Sequence, residues 1–511
     1  MLDQVGSFAL VLHSHLPWLA HHGSWPVGEE WLHQAWSSAY LPLTDLLDRL
    51  ADEGRRDLVT LGMTPVLAAQ LDDPWCLREL TTWLGCWRTR AEELASRREP
   101  HLRARARDEF VAAERALDQV TTTWRHGGSA VLRRLADSGA VELLGGPATH
   151  PFLPLLDERV AAFAVHVGLD DARLRLGRRP TGIWSPECGW APGLERTFTS
   201  AGVRHLVVDE ATLAPTGAAT SQPWQVADSD LVVLARDLAV TNRIWSSRTG
   251  YPAGDHYRDF HAFDHRSGFR PYRVTGPGVP ASDKAPYDPA QAQRAAADDA
   301  VRFVSAVRQR LLEVGQRDGR PGVVVAAYDT ELFGHWWHEG PQFLAHVLRL
   351  LPQAGVRLTT LSGAVATHGV GGRVDLPAGS WGAGKDYRVW DGEQVSDLRD
   401  EAFWVQRRLL DVLDAEHRGG RLRERRPDLD QLARQALLAL SSDWAFMVTR
   451  DQAAGYARER AAAHRQAFHR LAELVERRER EAGGEAERQR LVDGPLGALD
   501  ARLLVEHRRA G

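Results

Sequence analysis

Over its first two thirds the chain alternates short apolar runs with longer amphipathic stretches, the rhythm of a parallel sheet wrapped by helices. Residues 8–12, 57–61, 141–144, 182–184, 205–208 and 322–327 predict buried strands. Between about 75 and 138 the sequence is rich in Arg, Glu, Ala and Leu with few breakers, which predicts a helical insertion after the second strand. Residues 211–230 lack periodicity and read as a long surface loop beside a site, whereas 246–288 are irregular yet dense in aromatics. From about 397 onward helical patterning dominates, interrupted by Gly419-Gly420, Pro427, Gly483-Gly484 and Gly494-Pro495. This predicts two domains: a catalytic α/β barrel over 1–395, insertion included, and an all-α unit over 396–511 whose charged last stretch is expected to be loosely held. No internal repeat is visible.

The apolar runs matter because a parallel barrel builds its pocket at the carboxyl ends of its strands, and four of the six run into unusual residues. The first ends in His13-Ser-His15, whose alternate side chains face the same way on an extended chain. Two chemistries suit that pair: hydrogen bonds to sugar hydroxyls, or ligation of zinc with help from His150, His335 or His338. His150 follows the third run, where an ordinary hydrogen-bonded loop histidine is an equal reading. Glu187 lies in Gly182-Ile-Trp-Ser-Pro-Glu-Cys-Gly-Trp190, where Pro186 fixes the turn and Trp184 and Trp190 flank the carboxylate. Asp329 follows the apolar run 323–327 and precedes Glu331, His335, Trp336 and Trp337, with capping of the next helix as its rival role. Two carboxylates on different strand ends can approach to about 5–5.5 Å, the spacing of a retaining glycosidase. Asp443, in Ser441-Ser-Asp-Trp444, reads as a helix cap unless neighbouring Trp444 marks a sugar contact.

Composition narrows the partners. A net charge of -5 over 511 residues implies no basic face, which argues against nucleic acid. Cys76, Cys86 and Cys188 have neither disulfide-framework nor metal spacing and are expected to be reduced thiols. The N-terminal apolar run is too short for a signal or membrane span, so a cytoplasmic location is expected. Eighteen Trp against eight Tyr suggest indole faces stacked on sugar rings, with Trp18, Trp25, Trp31, Trp245, Trp336, Trp337 and Trp390 as candidate walls.

Taken together, His13-Ser-His-Leu-Pro17, Thr149-His150 with Phe152-Leu-Pro154, Trp184-Ser-Pro-Glu-Cys188, Tyr328 to Trp337, and Ser441-Ser-Asp-Trp444 resemble the five motifs of glycoside hydrolase family 57, in order and over most of the chain. Within the family the resemblance is to its 1,4-α-glucan branching type. It implies an incomplete seven-stranded (β/α) barrel with a helical insertion and a helical C-terminal domain. It also implies Glu187 as nucleophile and Asp329 as general acid/base, with His13, His15, His150 and Asp443 binding sugar. Trp184, His335 and Trp444 fall in the same motifs and are expected to line the substrate. Tyr251, in Gly250-Tyr-Pro-Ala-Gly254, matches a tyrosine that shields the intermediate from water in such enzymes, leaving open whether its loop or 211–230 closes the site. The segment after Trp381-Gly-Ala-Gly-Lys-Asp386 departs from the family pattern. The expected partner is an α-glucan such as amylose, glycogen or a modified glucan, with no metal or organic cofactor. A hydrolytic amylase or 4-α-glucanotransferase using the same residues, a zinc hydrolase using the His pair, and a non-catalytic glucan-binding protein are the alternatives. Oligomeric state is left open.

Overall fold

Among the described residues ten strands run in chain order: β1 (Gly6–Ser14), β2 (Val59–Met63), β3 (Val141–Leu144), β4 (Gly182–Ile183), β5 (His205–Val208), β6 (Trp224–Val226), β7 (Val232–Ala235), β8 (Val323–Asp329), β9 (Val356–Thr359) and β10 (Arg373–Val374). The computed structural model describes residues 4–24, 27–246, 249–276 and 278–506. Parallel pairing gives the order β3-β2-β1-β8 in one sheet and β7-β5-β4 in the other. A parallel bridge between Gly145 and Ile183 joins β3 to β4, and the Asp237 amide donates to the Val325 carbonyl at 2.8 Å across the remaining seam. Seven strands thus curl into the incomplete (β/α)7 barrel. β9 pairs beside the start of β1, and β6 pairs antiparallel with β7 while receiving β10.

Period-two alternation decides what the barrel encloses. Ala9, Val11, Val207, Leu234, Val323, Val325 and Ala327 form the inner cluster, while Phe8, Leu10, Leu12, Val324, Ala326 and Tyr328 face outward into the cluster packed by the surrounding helices. The inner residues are small because the enclosed space is narrow, and the bulky ones go to the helix layer. Extending the inward series past the last apolar residue places His13 on β1 and Asp329 on β8, side by side in register.

Several sequence expectations are revised. Residues 211–230 are not an unstructured loop: they hold the helix Glu210–Leu213 and the strand β6. The runs that became β7 and β9 were not predicted. The insertion is the helical pair Pro74–Leu94 and Pro100–Thr121, followed by Gly128–Asp137, and Phe269 of the aromatic-rich stretch packs into that pair with Leu94 and Leu102. The C-terminal tail is not loose through residue 505, since Leu496, Leu499, Leu504 and Val505 join Phe163 and Val167 of the barrel helix Glu158–Leu176 in one core. A division near residue 395 therefore stands as a proposal, and the two units it would separate share buried surface.

Candidate active site

Two pairs of consecutive non-glycine residues with positive φ lie at strand ends: Thr149-His150 (φ 66 and 58) and Glu187-Cys188 (φ 62 and 50). Such backbone costs on the order of 1–3 kcal/mol per residue and persists where the surroundings enforce it, commonly at functional sites. At the first pair, the Thr149 hydroxyl donates to the Leu437 carbonyl and the Ser442 amide donates to the His150 carbonyl. The C-terminal helices thus clamp the strained turn.

His13, His150 and His15 form a stack beside Trp184, with His13 4.6 Å from the indole and His15 3.8 Å from His150. The proton order follows from one hydroxyl. Ser442 Oγ lies 3.1 Å from Glu187 Oε1 and 2.9 Å from His150 Nδ1; its single proton goes to the carboxylate, so His150 donates through Nδ1. His150 Nε2 is then an acceptor, and His13 donates to it through its own Nε2 at 3.1 Å. Burial, reinforced by neighbouring imidazoles, pushes the pKa of both His13 and His150 well below the usual histidine value, which keeps them neutral. His15 bonds Asp443 at 2.8 Å and Thr64 at 3.0 Å. Burial pushes Asp443 up, but the His15 imidazole outweighs it and the carboxyl sits below its ordinary value.

Glu187 is held in a short 3-10 turn, Pro186–Cys188, and is 9% exposed. Trp381 Nε1 donates to its Oε2 at 2.7 Å, and the Trp381 amide donates to its backbone carbonyl at 2.8 Å. Burial lifts its pKa to about 7, with Asp443 adding to the rise, against the lowering effect of Trp381 and Ser442. Asp329 has a different setting. It makes no helix-capping bond, which removes the rival role. Burial pushes its pKa well above the carboxylate range, with the charges of Glu331 and Glu187 adding to the rise and Arg236 opposing it. The two carboxyls are therefore electrostatic neighbours, Glu187 buried and Asp329 half-buried at the end of β8. Gly334 lets the chain after Asp329 pass close to the helix above: its φ is +117, and a Cβ there would lie 1.8 Å from the Ser38 carbonyl oxygen.

The family model of glycosyl hydrolase family 57 matches residues 9–377. The chain belongs to that family. A second model, described as the C-terminal part of 1,4-alpha-glucan branching enzymes, matches residues 403–503. Among its relatives, a probable 1,4-alpha-glucan branching enzyme of Mycobacterium tuberculosis is 51% identical, covering 98% of each chain. A 1,4-alpha-glucan branching enzyme of Thermococcus kodakarensis is 34% identical over 92% of this chain and 74% of its own. The crystal structure of a GH57-type branching enzyme from Pyrococcus horikoshii superposes with a TM-score of 0.91 at 29% identity, covering 98% of this chain and 97% of that one.

In this family 57 chain the fold brings together Glu187, Asp329, His13, His15, His150, Trp184 and Asp443. Trp245 joins them indirectly, 36% exposed and stacked on Trp381 at 5.8 Å. Other indoles predicted as sugar platforms have their faces or their indole N–H occupied by protein. Trp444 is buried among Met447, Ala457 and Ala461 and donates to the Leu438 carbonyl; Trp390 is buried and stacks on Phe152 at 4.2 Å. Trp18 donates to the Val492 carbonyl and Trp337 packs on Phe343, while half-buried Trp31 meets Tyr456. Tyr251 packs on Phe303 and Phe343. His335 packs against Phe260, its pKa pushed down to about 3 by burial and Arg270; Trp336 is 43% exposed. Trp25 lies outside the described residues. Sequence reasoning missed Trp381 and Ser442 as partners of Glu187 and Tyr40 as a partner of Glu331, because the pairings join segments distant in the chain.

Ligand atoms of His15, His150 and Asp443 lie within 4.8 Å of one another, a grouping able to hold a metal ion. His335 and His338, the extra zinc ligands considered from sequence, are not in it. The His15 and His150 nitrogens and Asp443 Oδ2 are engaged with one another, Thr64, Ser442 and His13.

Proposed function

We propose that the chain is a 1,4-α-glucan branching enzyme working by retaining double displacement. The observation that carries this reading is a pair of neighbouring carboxylates in different surroundings, buried Glu187 held by two donors and half-buried Asp329 crowded by negative charge, in a chain matched along its length by branching enzymes. Glu187 attacks the anomeric carbon of an α-1,4-glucan while Asp329 gives its proton to the departing 4-oxygen. This leaves a glucosyl ester of inverted configuration on Glu187. Asp329, now ionised, takes the proton of an acceptor 6-hydroxyl as that oxygen attacks the same carbon. The ester bond breaks, Glu187 regains its charge, and an α-1,6 branch results.

Neutral His13 and His150, with His15 and Asp443, suit the hydroxyls of the glucosyl unit being transferred. Trp184, Trp381 and Trp245 offer an indole wall around the nucleophile and limit water there, which favours an alcohol acceptor over hydrolysis. Amylose, glycogen or a modified storage glucan is the fitting partner. No described helix is long and apolar enough to cross a membrane.

Proton NMR of amylose after incubation tests the reading. New α-1,6 signals should appear with the native chain and be absent with Glu187→Gln. Reducing ends alone would indicate an amylase, and redistribution of α-1,4 chains alone a 4-α-glucanotransferase. Binding without turnover in the native chain would indicate a glucan-binding protein. Zinc-dependent hydrolysis is the second reading, favoured by the grouping of His15, His150 and Asp443; chelator would abolish that activity and leave the branching reaction intact.

A further inference from the structure

Trp381 grips Glu187 by its indole and by its backbone amide, yet it stands in a loop that is hard to order. Gly379, Gly382 and Gly384 surround it in the chain, and glycine gives up more conformational freedom on folding than any other residue. Gly384 and Lys385 both have positive φ, 76 and 60, and a non-glycine residue keeps such backbone where its surroundings enforce it. Those surroundings are ionic. Asp209 follows β5 and Arg236 follows β7, and both are buried. Asp209 Oδ1 accepts from the Ala211 amide at 2.9 Å. Its Oδ2 accepts from Arg236 Nε at 2.8 Å and Nη2 at 2.6 Å, and from Lys385 Nζ at 3.1 Å. From this one oxygen both cations extend to Trp381. The Arg236 guanidinium carbon lies 5.1 Å from the indole centre, a cation–π contact, and Lys385 Nζ also donates to the Trp381 carbonyl at 3.2 Å.

We propose, resting on the reading of Glu187 as nucleophile, that Asp209, Arg236 and Lys385 are positioning residues. They fix the loop so that the Trp381 N–H stays on the attacking carboxylate. One cation suffices to pair a buried carboxylate, and burying ion pairs is a poor source of stability, because desolvation offsets the attraction. The second cation has no such explanation. Lys385 is accounted for by its other bond, to the Trp381 carbonyl. That bond completes a path from Asp209 through Lys385 and Trp381 to Glu187. Arg236 supplies a second arm from the same anchor. Together with Trp245, stacked on Trp381 at 5.8 Å, and Trp184, T-shaped to it at 5.0 Å, it confines the indole. Since a reacting atom misplaced by about 1 Å can cost about 10²-fold in rate, a brace on the residue that aims Glu187 bears directly on turnover.

The test is a double-mutant cycle on kcat with amylose, run on the native chain, Lys385→Met, Trp381→Phe and the two combined. Lys385 is half-buried, and without it Asp209 keeps Arg236, so Lys385→Met is expected to fold. In the native background it should lower kcat about tenfold, the usual effect of losing a hydrogen bond to a charged group, with KM little changed. In the Trp381→Phe background most of that loss should vanish, because the N–H that Lys385 steadies is gone. Equal losses in both backgrounds would mark Lys385 as a stabiliser of the fold, and no loss in the native background would show that the loop needs no brace; either overturns the proposal. Should Lys385→Met fail to fold, Arg236→Lys, which keeps the ion pair and removes the guanidinium from the indole, runs the same cycle. With α-maltosyl fluoride, whose leaving group needs no proton, the loss in Lys385→Met should persist, since the nucleophile still attacks, and a loss confined to amylose also overturns the proposal. Failure of the underlying reading shows separately: fluoride release by Glu187→Gln at the native rate would refute Glu187 as nucleophile whatever Lys385 does.

Discussion

Glu187 and Asp329 share a barrel interior and a burial that raises both pKa values, yet their seats are built on opposite principles. Glu187 is gripped by donors, an indole N–H and a serine hydroxyl on its two oxygens. Asp329 is crowded by negative charge from Glu331 and Glu187. Donors favour an ionised nucleophile and nearby carboxylates favour a protonated acid, so one desolvated pocket supports two protonation states at neutral pH. Burial alone does not separate acid from nucleophile; the immediate neighbours do.

The comparison breaks most completely at the nucleophile. Glu187→Gln keeps the shape of the seat and removes the attacking oxygen's charge, so branch formation on amylose should fall to background in a linkage assay. Asp329→Asn comes next: amylose turnover should drop by about 10²–10⁴-fold, the usual contribution of proton transfer, while α-maltosyl fluoride is spared. Trp381→Phe sharpens the contrast. Loss of the donor on Oε2 raises the Glu187 pKa from about 7, and because the ionised form reacts, activity is lost as pH falls through a higher value. The acidic limb of kcat/KM should move up by about one unit, the worth of a hydrogen bond to a charged group. Ser442→Ala should move that limb in the same direction by less, since its 3.1 Å bond to Glu187 is the longer of the two; an opposite shift in either variant would refute the assignment of these groups as donors to the reacting carboxylate.

What was legible in the sequence follows from locality. The strands β1, β2, β3, β4, β5 and β8 were visible as apolar runs, and His13, His15, Glu187 and Asp329 stood out because the runs of β1, β4 and β8 lead into them. β7 was not, since a short apolar run such as 231–235 does not by itself distinguish strand from buried helix. Tryptophans near the motifs were over-read: Trp444 and Trp337 adjoin site residues in the chain but face the core, and proximity in sequence does not fix which face is wet. Trp381 and Ser442 lay in segments the sequence singled out, but nothing local tied either to Glu187, 194 and 255 residues away. The tail was misjudged because its dense charge masks Leu496, Leu499 and Leu504, which find a core supplied by other helices.

Ser442 and Asp443 reach into the barrel from the helix Ser442–Thr449, beyond the last barrel strand. During synthesis, domains generally fold from the N-terminus as the chain emerges, so a nascent barrel can close around Asp329 while Glu187 still lacks its hydroxyl donor and His15 its carboxylate. A ribosome-bound intermediate of this kind holds both acidic groups but not the wall that orients sugar against them. Catalytic competence then arrives late, with docking of the helical region, and fragments ending before residue 441 should be unable to cut the polymer they are otherwise equipped to attack.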